Sequence, residues 1–277
     1  MTCRDHSVSK EEFQLLYDET YDMLVTYPRP SSEALPKYYD SEDYISHTDG
    51  SRNLFEQAYQ FVKQISLKRK RKLLNSLKKT KGAVLDIGAG TGDFLSAMQA
   101  DGWEVSGTEP NPRASHLAQE KGVQLGTSTS DFLENSFDVV TLWHVLEHVA
   151  DLNAQISELK RLVKDNGFLI IAVPNFRSYD AKYYSEFWAA YDTPRHLYHF
   201  SAKSIQLLFE EAGFTLQRTL PLKFDAYYVS LLSEKYKAGK RNFLKAMLTG
   251  LRSNWAANTS GEYSSLIYVL RNAQNAK

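Results

Sequence analysis

The chain has 277 residues, 43% of them hydrophobic, and its 33 Lys plus Arg balance 33 Asp plus Glu. Zero net charge gives no global pull toward nucleic acid or anionic lipid, and a single cysteine, Cys3, excludes an intramolecular disulfide. No stretch approaches the roughly 20 apolar residues of a membrane span, and the start MTCRDHSVSKEEF lacks the apolar run of a secretory leader; a cytoplasmic chain with no membrane insertion and no nucleic-acid partner is expected.

Residues 1–50 are rich in Tyr, Pro and acids, and TYPRPSSEALP is turn-prone, so this part reads as an arm or lid ahead of one domain over 51–277. Next, Leu54, Phe55, Ala58, Phe61, Val62, Ile65, Leu73, Leu74 and Leu77 fall near helical spacing. The basic run from Leu67 to Lys81 is expected to point into water from that helix. From Ala83 onward, the apolar runs AVLDIG, WEVSGTE, VQLG, FDVVTLW and GFLIIAVP alternate with amphipathic segments at Gly92–Ala100, Pro112–Lys121 and Leu152–Val163. That alternation predicts an α/β fold with a doubly wound, mostly parallel sheet. AVLDI and FLIIAV, apolar almost throughout, suit central strands covered on both faces. A helix from Ser201 to Ala212 follows, capped by Ser201 and stopped by Gly213, then the strand GFTLQRTLPL. A helical insertion over about 225–260 precedes the final strand EYSSLIYVLR.

The segment VLDIGAGTGDFL spells strand, turn and helix, with Gly88, Gly90 and Gly92 at alternate positions around Ala89 and Thr91, where a backbone can approach a ligand closely. The spacing is G-x-G-x-G, whereas a turn that admits a dinucleotide pyrophosphate reads G-x-G-x-x-G. Asp86 would repel a pyrophosphate but suits a cationic amino group. Glu109, at the end of the next strand, offers acceptors for a pair of ribose hydroxyls.

VLDIGAGTGDFL, GTEPNP, FDVVTLWHVLEHV and FLIIAVPN together resemble the strand motifs of class I S-adenosylmethionine-dependent methyltransferases, in order and spacing. The resemblance is closest to the small-molecule branch that includes ubiquinone-biosynthesis O-methyltransferases. It implies a Rossmann-like sheet of seven strands, the last antiparallel, and S-adenosylmethionine as cofactor with S-adenosylhomocysteine as product. By the same resemblance, Asp86 and the Gly88–Gly92 turn border the methionine part, Glu109 binds ribose, Trp143 and His144 line the site, and Asp131 is the candidate acid for adenine. The expected acceptor is a small molecule, methylated on oxygen, because the N/D-P-P-Y/F sequence of certain N-methylases is absent after the fourth strand.

Methyl displacement at a sulfonium needs a base only when the acceptor starts protonated. PRHLYHF places Arg195, His196 and His199 after the fifth strand, where related enzymes build the acceptor pocket. His199 is the favoured base, with His196 and His144 as the other candidates. Tyr183, Tyr184, Trp188 and Tyr39, joined by Tyr38 and Tyr44, are expected to wall that pocket. Two other functions are weighed: an NAD-type oxidoreductase on a similar fold, and a zinc peptidase using His144, Glu147 and His148 in the pattern H-x-x-E-H. The strand-like FDVVTLW just before that pattern argues against a zinc helix, so no metal is expected.

Overall fold

The computed structural model describes residues 1–31, 33–39 and 54–273, with side chains from residue 60 onward in the first helix. Tyr44 lies outside these residues. The chain opens with three short strands, β1 (Thr2–Arg4), β2 (Glu12–Asp18) and β3 (Met23–Tyr27), and a long helix, α1 (Leu54–Leu77). The alternating part then runs β4 (Ala83–Ile87), α2 (Asp93–Ala100), β5 (Glu104–Thr108), α3 (Pro112–Glu120), β6 (Phe137–Trp143), α4 (Leu152–Leu162) and β7 (Val163–Pro174). After it come α5 (Tyr179–Tyr184), β8 (Tyr198–His199), α6 (Ala202–Glu211), β9 (Phe214–Pro221), α7 (Asp225–Ala238), α8 (Phe243–Ser260) and β10 (Ser265–Asn272).

The main sheet has the order β5-β4-β6-β7-β10-β9, parallel from β5 to β7 and antiparallel where β10 meets β7 and β9. The antiparallel last strand and the helical insertion are therefore present. The seventh strand is not, among the described residues: VQLG contributes only a single bridge, Thr108 to Gly126. Apolar alternation stops there at Thr127–Asp131, which leaves nothing to pair along an edge.

Strand alternation sorts the core to two faces. Leu85, Val140, Leu169 and Ile171 pack with Ile156 and Leu159 of α4 and with Ile205 and Phe209 of α6. Their neighbours Val84, Val139, Ile170 and Ala172 pack on the other side with Leu74 of α1, Leu95 and Met98 of α2 and Ala118 of α3. Helices on both faces are what the near-continuous apolar strands demanded.

The stretch read as an arm carries regular structure in its first 27 residues. β1, β2 and β3 form an antiparallel sheet that takes β8 as its fourth strand, with Leu24 opposite His199 and Val25 opposite Tyr198. This second sheet is pinned by Arg195, which is only 2% exposed. Its guanidinium donates to the Tyr38 carbonyl at 2.8 Å, to Asp5 Oδ1 at 3.1 Å, to both Asp192 oxygens at 2.5 and 3.0 Å, and to Ser7 Oγ. Arg195 was expected in the acceptor pocket; its donors are instead turned into the protein. Trp188 and Tyr184, also expected there, are core residues. Asp180, fully buried, accepts from Trp188 Nε1 at 2.8 Å, Ser253 Oγ at 2.6 Å and Ser264 Oγ at 2.7 Å, and so fastens α5 to α8 and β10.

Removing the guanidinium would leave two carboxylates facing each other without their cation. Arg195→Ala should therefore cost about 3 to 5 kcal/mol in urea unfolding, the range for breaking a buried ion pair. A loss below about 1 kcal/mol, typical of an exposed pair, would show that the second sheet docks without this knot.

Candidate active site

The glycine turn lies where β4 gives way to α2. Gly88 and Gly90 have φ of +69° and +55°, and a Cβ on Gly88 would sit 2.5 Å from Val145 Cγ2. A Cβ on Gly90 would meet nothing within 4 Å, so Gly90 marks the open side of the turn. Gly88 and Ala89 each donate to the Thr108 carbonyl at 2.9 Å, which locks the turn to the end of β5. Glu109, just beyond, accepts from Gly90 N on Oε2 and from Asn111 N on Oε1, both at 2.9 Å. A carboxylate offers about four lone-pair directions; two remain for hydroxyl donors.

Asp86 is 3% exposed and accepts from Thr141 Oγ1 at 2.6 Å. Burial pushes its carboxyl up to about 7, against the pull of Thr141 and of the Lys70 ammonium. Lys70 comes from α1 and sits over the Trp143 ring at 4.0 Å from the centroid. Burial lowers it to about 8, with Asp86 and Asp225 opposing. The basic run was expected to face water, and Lys70 departs from that. Its position was legible: Leu67, Lys70, Leu74 and Leu77 share one helical stripe, so a cation at 70 has to face the domain. Trp143 packs edge-on to Phe94 at 5.5 Å, and its indole Nε1 is buried without a hydrogen-bond partner among the described residues.

His144 follows with φ +58°, which turns its ring toward Asp225 at 3.2 Å and Glu147 at 3.4 Å. Although desolvation opposes it, these two carboxylates raise His144 to about 10, so the ring is a cation at neutral pH. Leu146–His148 form a 3-10 turn rather than a helix, and His144 and His148 are not presented from one helical face as the peptidase pattern needs. His148 Nδ1 lies 3.0 Å from the Arg195 carbonyl and 3.2 Å from the Tyr39 hydroxyl. His196 Nδ1 lies 2.8 Å from the Ala190 carbonyl, and the two rings meet edge to face at 4.5 Å.

His199, the favoured base, is 4% exposed with Nε2 3.0 Å from Thr26 Oγ1 and its ring against Tyr191. Burial holds it neutral, down at about 3; it ties β8 to β3 inside the protein. Tyr183 lies on the outer surface, stacked on Tyr179 and beside Lys237 and Lys245. Asp131 lines a depression with Gly82, Ala83, Glu104 and Phe137, at the starting ends of the strands, away from the turn. Of the proposed residues, the structure thus brings together Asp86, the glycine turn, Glu109, Trp143, His144, His196 and Tyr39 along the carboxyl edge of the sheet, where open α/β sheets bind ligands.

A family model described as a methyltransferase domain matches residues 52–219. The chain belongs to this family, a class of Rossmann-like enzymes whose methyl donor is S-adenosylmethionine. Among its relatives, the ubiquinone biosynthesis O-methyltransferase of Actinobacillus pleuropneumoniae is 36% identical over 106 residues, which is 33% of this chain and 45% of that protein. An uncharacterised methyltransferase of Bacillus subtilis, YcgJ, is 36% identical over 99 residues, 32% of this chain and 39% of its own length. The chain thus spans less than half of these relatives. The crystal structure of magnesium protoporphyrin IX methyltransferase from Synechocystis, with S-adenosylhomocysteine bound, has a TM-score of 0.59 at 17% identity, covering 88% of this chain and all of that one. The [4+2]-cyclase SpnF reaches 0.54 at 16% identity over 89% and 98% of the two chains. One fold thus carries different reactions. Neither an NAD-dependent oxidoreductase nor a zinc peptidase finds support.

The residues at the turn fit the donor. Gly90 leaves room at the backbone, Glu109 keeps lone pairs for a ribose, Asp86 is a buried anion suited to an ammonium, and Trp143 holds an unspent donor. Glu109→Ala should weaken S-adenosylhomocysteine in calorimetry by about 1.5 to 3 kcal/mol, the range for hydrogen bonds to a charged group; unchanged affinity would mean another acid holds the ribose. Asp86 must be ionised to hold an ammonium, and its carboxyl titrates at about 7. Affinity should therefore fall as pH drops from 8 to 6, approaching about tenfold per unit below the pKa. Asp86→Asn should bind weakly at both ends of that range, and a wild-type affinity indifferent to pH would dissociate Asp86 from the amino group.

Proposed function

We propose that the chain methylates an oxygen of a small molecule with S-adenosylmethionine as donor. The observation that carries this reading is the adjacency, along one sheet edge, of a donor side and an acceptor side. The donor side is Asp86, Gly90, Glu109, Trp143 and Lys70; the acceptor side is His144, Glu147, His148 and His196. Relatives that methylate oxygen in ubiquinone biosynthesis support the choice of atom.

The bound donor supplies a methyl carbon made electrophilic by its sulfonium. Asp86 and Lys70 offer opposite charges to the ammonium and carboxylate of its amino-acid part, and Glu109 offers acceptors to its ribose. Lys70, stacked over the Trp143 ring, and Trp143, packed on Phe94, would keep water from that part of the donor side. His144 is engaged by Glu147 through Nδ1 and by Asp225 through Nε2, so it holds the charge of Glu147 in place rather than taking a proton. His199 is engaged with Thr26 and takes no part. The proton of an acceptor hydroxyl therefore leaves toward Glu147, His148 and His196.

Transfer of labelled methyl from S-adenosylmethionine to a panel of catechols, quinone precursors and sugar hydroxyls is the test. Glu147→Gln should lower turnover by roughly 10² to 10⁴ fold with unchanged S-adenosylhomocysteine affinity. His199→Gln should melt earlier yet turn over normally while folded. No transfer to any oxygen acceptor, with transfer to an amine instead, would overturn the choice of atom.

A further inference from the structure

On the acceptor side, Glu147, His148 and His196 converge in a way that has a second reading beside proton transfer. Glu147 is 1% exposed, and neither of its carboxylate oxygens has a hydrogen-bond partner among the described residues; the nearest charge is His144 Nδ1 at 3.4 Å. A buried anion left without donors is costly. Facing it are His148 and His196, and one potential ligand atom from each of the three residues lies within 4.8 Å of the other two.

The hydrogen bonds of the two histidines fix their tautomers. The Arg195 carbonyl stands at 3.0 Å from His148 Nδ1, and the Ala190 carbonyl at 2.8 Å from His196 Nδ1. A carbonyl only accepts, so each Nδ1 carries the proton and each Nε2 keeps its lone pair. Metal-binding imidazoles commonly share this arrangement, with one nitrogen donating to a backbone carbonyl and the other left to ligate. We propose that Glu147, His148 and His196 form a binding site for a divalent first-row transition metal ion, held by two imidazoles and one carboxylate.

The neighbours define which ion. His144 offsets the charge of Glu147 on one side and Asp225 flanks it; Asp192, with Oδ2 4.0 Å from His196 Nε2, is itself neutralised by Arg195. With one carboxylate largely balanced and two nitrogen donors, the set disfavours Mg²⁺ and Ca²⁺, which need several oxygens, and favours Zn²⁺, Co²⁺, Mn²⁺ or Fe²⁺. Three protein ligands leave coordination positions open. His148 is partly exposed and His144 has a 40% exposed side chain, so those positions face the accessible side. The sequence pattern H-x-x-E-H pointed at the wrong histidine pair: His196, far along the chain, takes the place of His144.

The test uses the full chain stripped with a chelator and titrated with Co²⁺, without donor or acceptor, so its failure leaves the methyltransferase reading standing. A single equivalent should bind with visible d–d absorption and be displaced by Zn²⁺. Glu147→Gln and His196→Gln should each weaken binding by roughly 100-fold or more, with circular dichroism reporting the fold. His148→Gln, at the partly exposed position, should do the same if either buried variant fails to fold. Absence of a Co²⁺ spectrum, or a spectrum unchanged in all three variants and lost instead in His116→Ala on the outer surface of α3, would overturn the site.

Discussion

A single buried guanidinium sets the geometry of the acceptor side. Arg195 is excluded from water and meets two carboxylates, Asp5 near the start of the chain and Asp192 in its own loop. A charge in that position is tolerated only because its donors are matched; Tyr38 and Ser7 complete the set. The consequence reaches past stability. With the side chain fixed, the backbone from Ala190 to Phe200 is fixed too, and the carbonyls of Ala190 and Arg195 are aimed at the rings of His196 and His148. The same segment supplies β8, which carries His199 to Thr26 and joins the second sheet. Leu197 N donating to the Glu147 carbonyl at 2.8 Å then binds this segment to the end of β6.

On the donor side, the chain holds opposite charges in low dielectric. Asp86 and Lys70 are each displaced by burial toward neutrality, and each is held partly charged by the other. A ligand that brings an ammonium and a carboxylate of its own offers both groups better partners than they have alone. Binding energy then comes from relieving an existing cost as well as from new contacts. The glycine turn contributes the shape, since Gly88 is packed against Val145 and only Gly90 is open.

The donor side was largely legible in the sequence because it is local: strand, turn, helix cap and the acid after the next strand all lie within Val84 to Glu109. The two-faced core was legible for the same reason, through strand alternation. The acceptor side was not. Arg195, Trp188 and Tyr184 have the residue types of a pocket, yet their partners are Asp5, Asp180 and other groups distant in sequence, and only the folded chain reveals that they are spent inside. His144 escapes local rules through its positive φ, and His199 through the pairing of β3 with β8. Lys70 was hidden by its basic neighbours, although the apolar stripe it interrupts gave the signal. That VQLG forms only a single bridge among the described residues shows the limit of a short apolar run with no continuing alternation after it.

The most direct measurement is a crystal structure of the chain with S-adenosylhomocysteine. The expected result places the ribose hydroxyls on Glu109, the amino group on Asp86 and the homocysteine chain across Gly90. The Lys70 ammonium should lie next to the ligand carboxylate. A ligand bound elsewhere, or one that meets the Gly88–Gly92 turn through its adenine with Asp86 still facing only Thr141, would contradict the donor site described above.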